Sequence, residues 1–373
     1  MIVSFPHMGN MHIVLQTLLT ELGQSVCVPP PISKRTLELG SSYSPETVCL
    51  PFKIMLGNFI EALDQGADTL ISCGGTGPCR LGYYAEVQKE ILERLGYHFE
   101  MIVIEPQLGD IIRTIWRLSG GKSWLQVYRA FQFAGRKLQL LDDLERRSAA
   151  LRPVEYRAGS VDAVRKQGVI KIAAVTEACE LTLIWQEITS ALDGIAIERE
   201  KQPLKIGLVG EIYVMLEPFI NQDLERRLGV LGAQVHKTMY LSDYVKGHLY
   251  HSAEYRKQYL RLEKLAKPYL GHYVGGHGLK SVAYSLQKGQ AGFDGVIQVY
   301  PFTCMPEVVA KNILHQVSQD VDLPVLTLAF DEQSGDAGVI TRLEAFIDLL
   351  QYRRSKKTQG GPYIPDLYCY VKR

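Results

Sequence analysis

GADTLISCGGTGPC, residues 66–79, and GFDGVIQVYPFTC, residues 292–304, are the two stretches on which the fold turns. Each begins Gly-x-Asp, runs through an apolar segment of strand character, and ends in a loop carrying a cysteine, Cys79 or Cys304. A second matched pair lies upstream of each: Leu22-Gly23-Gln24-Ser25-Val26 and Leu231-Gly232-Ala233-Gln234-Val235. Either match alone could be two ordinary strand–helix junctions. Their common order points to a duplicated domain, since the spacing is far too long for a solenoid repeat.

Around the first stretch, strand and helix signals alternate. Ile2–Phe5 is a short β-like run, residues 6–10 a loop, and an apolar-periodic helix reaches about Leu22, stopped by Gly23. Ser25–Val28 is the next strand and ends at Pro29-Pro30-Pro31. Phe52, Met55, Phe59 and Leu63 recur at helical spacing across residues 51–63. Strand 68–72, helix 84–95 and strand 99–104 follow. Such alternation predicts βαβ units and a parallel sheet. From about Gln107 the strand signals give way to long amphipathic stretches, 124–146 and 161–192. A new strand begins at Lys205–Val209 and a second α/β run continues to about Tyr352. The predicted organisation is therefore a first α/β domain (1–106), a helical segment (107–203), a second α/β domain (204–352) and an irregular tail (353–373) with Gly360-Gly361-Pro362.

Bulk composition agrees. A chain of 373 residues with 46% hydrophobic content has material for two cores. Its 41 basic and 40 acidic residues nearly cancel, so no global field asks for nucleic acid or an anionic membrane. The start, MIVSFPHMGN, carries no signal-peptide pattern and no window approaches a membrane span, so a cytoplasmic protein is expected. Seven cysteines, an odd number scattered along the chain, do not suit a disulfide framework in a reducing compartment.

In open α/β sheets, ligands bind outside the carboxyl ends of the strands. Cys79 and Cys304 stand at such ends, and Cys49 directly precedes the helix that opens with Pro51, a favoured first-turn residue. Counting back from Gly-x-Asp, Cys49 corresponds to about Gly275 in Gly275-Gly276-His277-Gly278. If the domains face each other, these four loops converge on one cleft. Helix N-termini favour the thiolate form that binds metal. Taken singly, Cys49 or Cys304 reads more readily as a packing thiol. Gly74-Gly75-Thr76-Gly77 could instead cradle a phosphate, and Gly275–Gly278 an oxyanion or phosphate. Cys73 reads as a buried core thiol, and Cys27, Cys179 and Cys369 as packing or idle surface thiols. Glu211, with Tyr213 and Glu217, suits acid–base work or simple helix capping. No Cys-x-x-Cys or His-Glu-x-x-His is present, and Gly121-Lys122-Ser123 lacks the glycine a phosphate-binding loop needs, with Trp116 in its place.

The segments SPETVCLPFK (44–53), GPCRLGYY (77–84), GEIY (210–213), GGHGLK (275–280) and FTCMPE (302–307) resemble the 2-hydroxyacyl-CoA dehydratase and benzoyl-CoA reductase superfamily. The likeness runs from residue 1 to about 350, and favours the activase-related branch near the double-cubane cluster proteins. It implies two Rossmann-like (flavodoxin-like) domains and a 4Fe-4S cubane held by Cys49, Cys79 and Cys304. A double-cubane 8Fe-9S cluster is the alternative if Cys27, Cys73 or Cys179 join. The resemblance further implies an ATP-dependent activator ATPase, carrying its own cluster, as electron donor. The recipient would be a small molecule or an acyl-CoA, and a homodimer is expected on the family's pattern. Gly75, Gly77, Gly275, Gly276 and His277 would line the cofactor, and Arg80 and Glu211 would face substrate or support the ligands. The rival reading is a non-catalytic electron carrier or cluster scaffold.

Overall fold

The computed structural model describes residues 1–75, 77–105, 108–249 and 253–358. Thr76, the 106/107 domain boundary, the Gly360-Gly361-Pro362 stretch and Cys369 lie outside the described residues.

The first domain contains β1 (Ile2–Ser4), α1 (Met11–Glu21), β2 (Ser25–Val26), α2 (Lys34–Tyr43), α3 (Leu50–Asp64), β3 (Thr69–Cys73), α4 (Tyr84–Arg94) and β4 (Glu100–Ile104). A four-residue 3₁₀ turn, Arg80–Tyr83, precedes α4. The helical segment follows as α5 (Leu108–Leu118), α6 (Trp124–Leu151), α7 (Ser160–Ala174) and α8 (Glu180–Asp193). The second domain runs β5 (Leu204–Gly210), α9 (Ile212–Leu216), α10 (Pro218–Asn221), α11 (Leu224–Val230), β6 (Ala233–Lys237), α12 (Leu241–Leu249) and α13 (Ala253–Ala266). It closes with α14 (Gly278–Gln290), β7 (Gly295–Pro301), α15 (Met305–Asp320), β8 (Val325–Phe330) and α16 (Asp336–Thr358). Residues 353–358, expected in the irregular tail, thus continue a helix.

The two sheets are entirely parallel and share one order, β2-β1-β3-β4 and β6-β5-β7-β8. The fold is α/β with two parallel-sheet domains, as the alternation predicts. The matched motifs have matched structural roles. Asp68 accepts a 2.7 Å hydrogen bond from the N–H of Ile2, and Asp294 accepts one of 2.7 Å from that of Lys205. Each carboxylate ties the start of the third strand of its sheet to the start of the first. Gly23 and Gly232 hold nearly the same left-handed φ, +85° and +86°, between helix and strand.

The sequence pattern did not suggest α2, although Ser33 and Thr36 form a reciprocal cap at its start. Its packing depends on small residues: a Cβ on Gly40 would fall 1.7 Å from the carbonyl oxygen of Lys53, and one on Gly57 2.0 Å from that of Thr36. The amphipathic stretch 161–192 forms two helices, α7 and α8. Lys137 of α6 donates from Nζ to the carbonyls of Ala173 and Val175, at 3.1 and 2.7 Å, and so terminates α7.

The domains share a core. Every residue from 50 to 63 of α3 is buried, and Phe52, Leu56 and Phe59 pack in one cluster with Leu208, Val299 and Phe330 of the second sheet. A helix buried on all sides belongs between layers, and here it lies between domains. Lys53 on α3 reaches Glu332, beyond β8, at 2.5 Å. α6 makes a second bridge: Phe133 and Leu138 pack with Ile13 and Val14 of α1 and with Leu216 and Leu241 of the second domain. Among the described residues no helix is long and apolar enough to cross a membrane.

Candidate functional site

Three cysteines begin helical turns. Cys49 caps α3, Cys304 caps α15, and Cys79 precedes the 3₁₀ turn. Cys49-Leu50-Pro51 and Cys304-Met305-Pro306 are the same local device, a cysteine followed two residues later by a first-turn proline that has no N–H to leave unpaired. The counterpart of Cys49 in the second domain, judged by the start of the equivalent helix, is His277, which caps α14. Counting along the sequence had placed it two residues earlier, at Gly275.

Tertiary packing brings these starts together. Arg80 donates to the carbonyl of Thr47 at 2.7 Å and to the carbonyl of Thr303, thereby joining the loops that precede Cys49 and Cys304. Gly275 fits against Pro78, Cys79 and Pro306: a Cβ there would come within 3.0 Å of Pro78 Cγ and 3.2 Å of the Cys79 nitrogen. Gly275 and Gly276 both hold positive φ, +90° and +46°, so this close approach requires glycine. Gly77, at φ +100°, passes Tyr273, and Gly75 lies against Gly82 within the same loop.

The thiols feel one another. Burial pushes Cys49 up, the Tyr84 hydroxyl bonded to its Sγ acts the other way, and the charges of Glu211, Arg80 and Cys79 also act on it. Burial pushes Cys304 up strongly, with Glu211, Glu307 and Cys49 adding to the effect. The Glu307 N–H opposes this. Cys49 is thus coupled to both Cys79 and Cys304.

Other assignments change in detail. Glu211 is raised by burial, but its carboxylate accepts the Tyr213 and Val214 N–H groups at 3.0 and 2.9 Å, so it caps α9. Its charge still reaches Cys49 and Cys304. Arg80 is spent on backbone carbonyls, which makes it a positioning residue. Cys73, expected as a core thiol, is exposed at the end of β3. Its pKa is nonetheless raised, by desolvation and by the nearby Glu105. Cys27 bonds Ala62 and Gln65, at the last turn of α3. That is the end opposite Cys49, about 20 Å along a helix of this length. Cys179 is exposed in the helical segment.

Among the described residues no group of three or more His, Cys, Asp or Glu side chains closes on a single ion. A cluster asks for a different arrangement, because its own iron and sulfide atoms occupy the space between the ligand sulfurs. The donor chemistry fits such a group: three thiols at turn starts, with the Thr303 Oγ1 buried beside Cys304 and without a hydrogen-bond partner.

Residues 5–72, from the end of β1 almost to the end of β3, match a family model described as a CoA enzyme activase uncharacterised domain. The match takes in Cys49 and stops short of Cys79 and of the whole second domain. It relates this part of the first domain to CoA enzyme activases and selects no branch. No curated protein matches the chain.

Proposed function

We propose that this protein is an iron–sulfur redox protein in which Cys49, Cys79 and Cys304 hold a cubane cluster between the two sheet domains. An ATP-dependent activator ATPase with its own cluster would reduce it, and the electron would pass to a small molecule or an acyl-CoA. The observation that carries this reading is the Arg80 guanidinium, next to Cys79, joining the loops that precede Cys49 and Cys304 across two domains that duplication alone would not force to meet.

A cluster bound there supplies one-electron transfer at low potential. The remaining chemistry belongs to the chain. The helix starts at Cys49 and Cys304 present N–H groups that favour anionic sulfur, and the Glu307 N–H already does so at Cys304. Gly275 and Gly276 keep the facing loop free of side chains, so its backbone packs against the Cys79 loop and Pro306. Arg80 holds the two domain loops in register.

The alternative, a non-catalytic carrier or scaffold, is favoured by one observation: Arg80 and Glu211 are both committed to structural hydrogen bonds. Purification without oxygen, with iron, acid-labile sulfide and EPR spectra measured per chain, tests both readings. About four irons per chain supports a single cubane and about eight a double one. No iron after reconstitution overturns the proposal. Oxidation of the reduced cluster by added acyl-CoA separates the enzyme from the carrier.

A further inference from the structure

Lys280 is placed against the usual rules for a lysine. It is the third residue of α14, in the first turn, where the helix dipole is positive and a cation is disfavoured. It is half-buried, and among the described residues no carboxylate pairs with it. Glu307, whose carboxylate meets the neighbouring Ser281, accepts from Ser281 and Gln298 instead. Buried cations are normally paired. This one has tyrosines: its Nζ donates to the Tyr255 hydroxyl at 2.9 Å and lies 5.9 Å from the centre of the Tyr259 ring.

The start of the same helix adjoins the Cys79 loop: a Cβ on Gly275 would fall 3.2 Å from the Cys79 nitrogen, and one on Gly77 3.4 Å from the Tyr273 ring. The Tyr244 ring also packs edge-on against His277, the cap of α14, with centroids 6.4 Å apart. Lys280 and the Tyr255 hydroxyl therefore meet at the first turn of a helix whose preceding loop packs on Cys79, and a cation at a helix N-terminus favours negative charge.

We propose that Lys280, with Tyr255 and Tyr259 beside it, binds the oxyanion of a small ligand, a carboxylate or phosphate group, next to the Cys79 loop. The site extends the cluster reading but does not depend on iron. Burial lowers the Lys280 pKa to about 8, so the amine is largely protonated at neutral pH, yet close enough to neutrality that a bound anion changes its reactivity.

The test is amine acylation of the full-length protein near pH 7.5, read peptide by peptide by mass spectrometry. Sodium phosphate, sodium acetate and sodium chloride are compared at matched ionic strength. An anion beside the ammonium raises its pKa by about one or more, which lowers Lys280 labelling roughly tenfold. Exposed Lys89 serves as the internal control and stays unchanged. Protection by acetate alone assigns a carboxylate, by phosphate alone a phosphate group, and by both a general oxyanion site. Equal Lys280 labelling in all three salts overturns the proposal. A Tyr255→Phe variant, which keeps the lysine and the ring, should weaken the protection. Because the measurement uses wild-type protein and no iron, it can fail while the cluster reading holds, and the reverse.

Discussion

Arg80, in the first domain, donates a hydrogen bond to the carbonyl oxygen of Thr303, the residue before Cys304 in the second. The other arm of the same guanidinium holds Thr47, two residues before Cys49. One side chain, adjacent to Cys79, thus sets the spacing of all three thiol-bearing loops. A planar fork reaches two carbonyls at once where a lysine point charge cannot.

Replacing Arg80 by Met should leave the fold intact, because the side chain is exposed and its bonds are worth about 1–3 kcal/mol at most. The local effect should be larger: Cys304 and Cys49 become several-fold more reactive toward iodoacetamide. Unchanged alkylation rates in the variant would show that the clasp does not organise the cleft.

Serine at Cys49, Cys79 or Cys304 should each remove most of the iron from anaerobically purified protein. Serine at Cys27 should not, because Cys27 contacts the far end of α3, and the exposed Cys179 should be equally dispensable. Iron retained in full by the Cys304 variant would be incompatible with ligation across both domains.

Gly57→Ala and Gly40→Ala should each destabilise the protein by about 3 kcal/mol or more, since the added carbon meets backbone oxygen in the partner helix. Thermal melting reports it. A variant that melts with the wild type would mean that α2 shifts away from α3 at little cost.

Asp142, on α6, is buried and accepts the Ser242 N–H at 2.7 Å. Burial pushes its pKa up to about 6. A carboxyl that holds its proton more tightly when folded contributes stability that is fully present below pH 4. That contribution is lost as pH rises through 6, about 3 kcal/mol at full span. Asp142→Asn keeps an acceptor for Ser242 and should flatten urea midpoints measured between pH 4 and 7. Identical slopes in the two proteins would refute the assignment.

The duplication was readable because its marks are local. The Gly-x-Asp aspartates each answer a strand N–H, and the Cys-x-Pro pairs each open a helix, so the residue types betray the geometry within a few positions. Helix α2 was missed because its signal is weak in isolation: a Ser33 cap followed by a face of small residues that makes sense only against Gly57. Cys73 differs from its expectation because a strand end can open to the surface as easily as into a core. Lys280 belonged to the GGHGLK stretch, yet nothing in that stretch says which tyrosines surround it, since Tyr255 and Tyr259 arrive on another helix.

Periodicity, caps and turn residues act over a turn of helix or a pair of strands, so the sequence by itself determined two parallel α/β units and the helix-starting positions of Cys49, Cys79 and Cys304. Which loops face one another was decided only by tertiary structure. Arg80 and Thr303 stand 223 residues apart, and Lys53 and Glu332 stand 279 apart. They meet because α3, buried on every side, packs between the two domains, and that burial brings the loop before Cys49 within reach of the loop before Cys304, where Arg80 joins them.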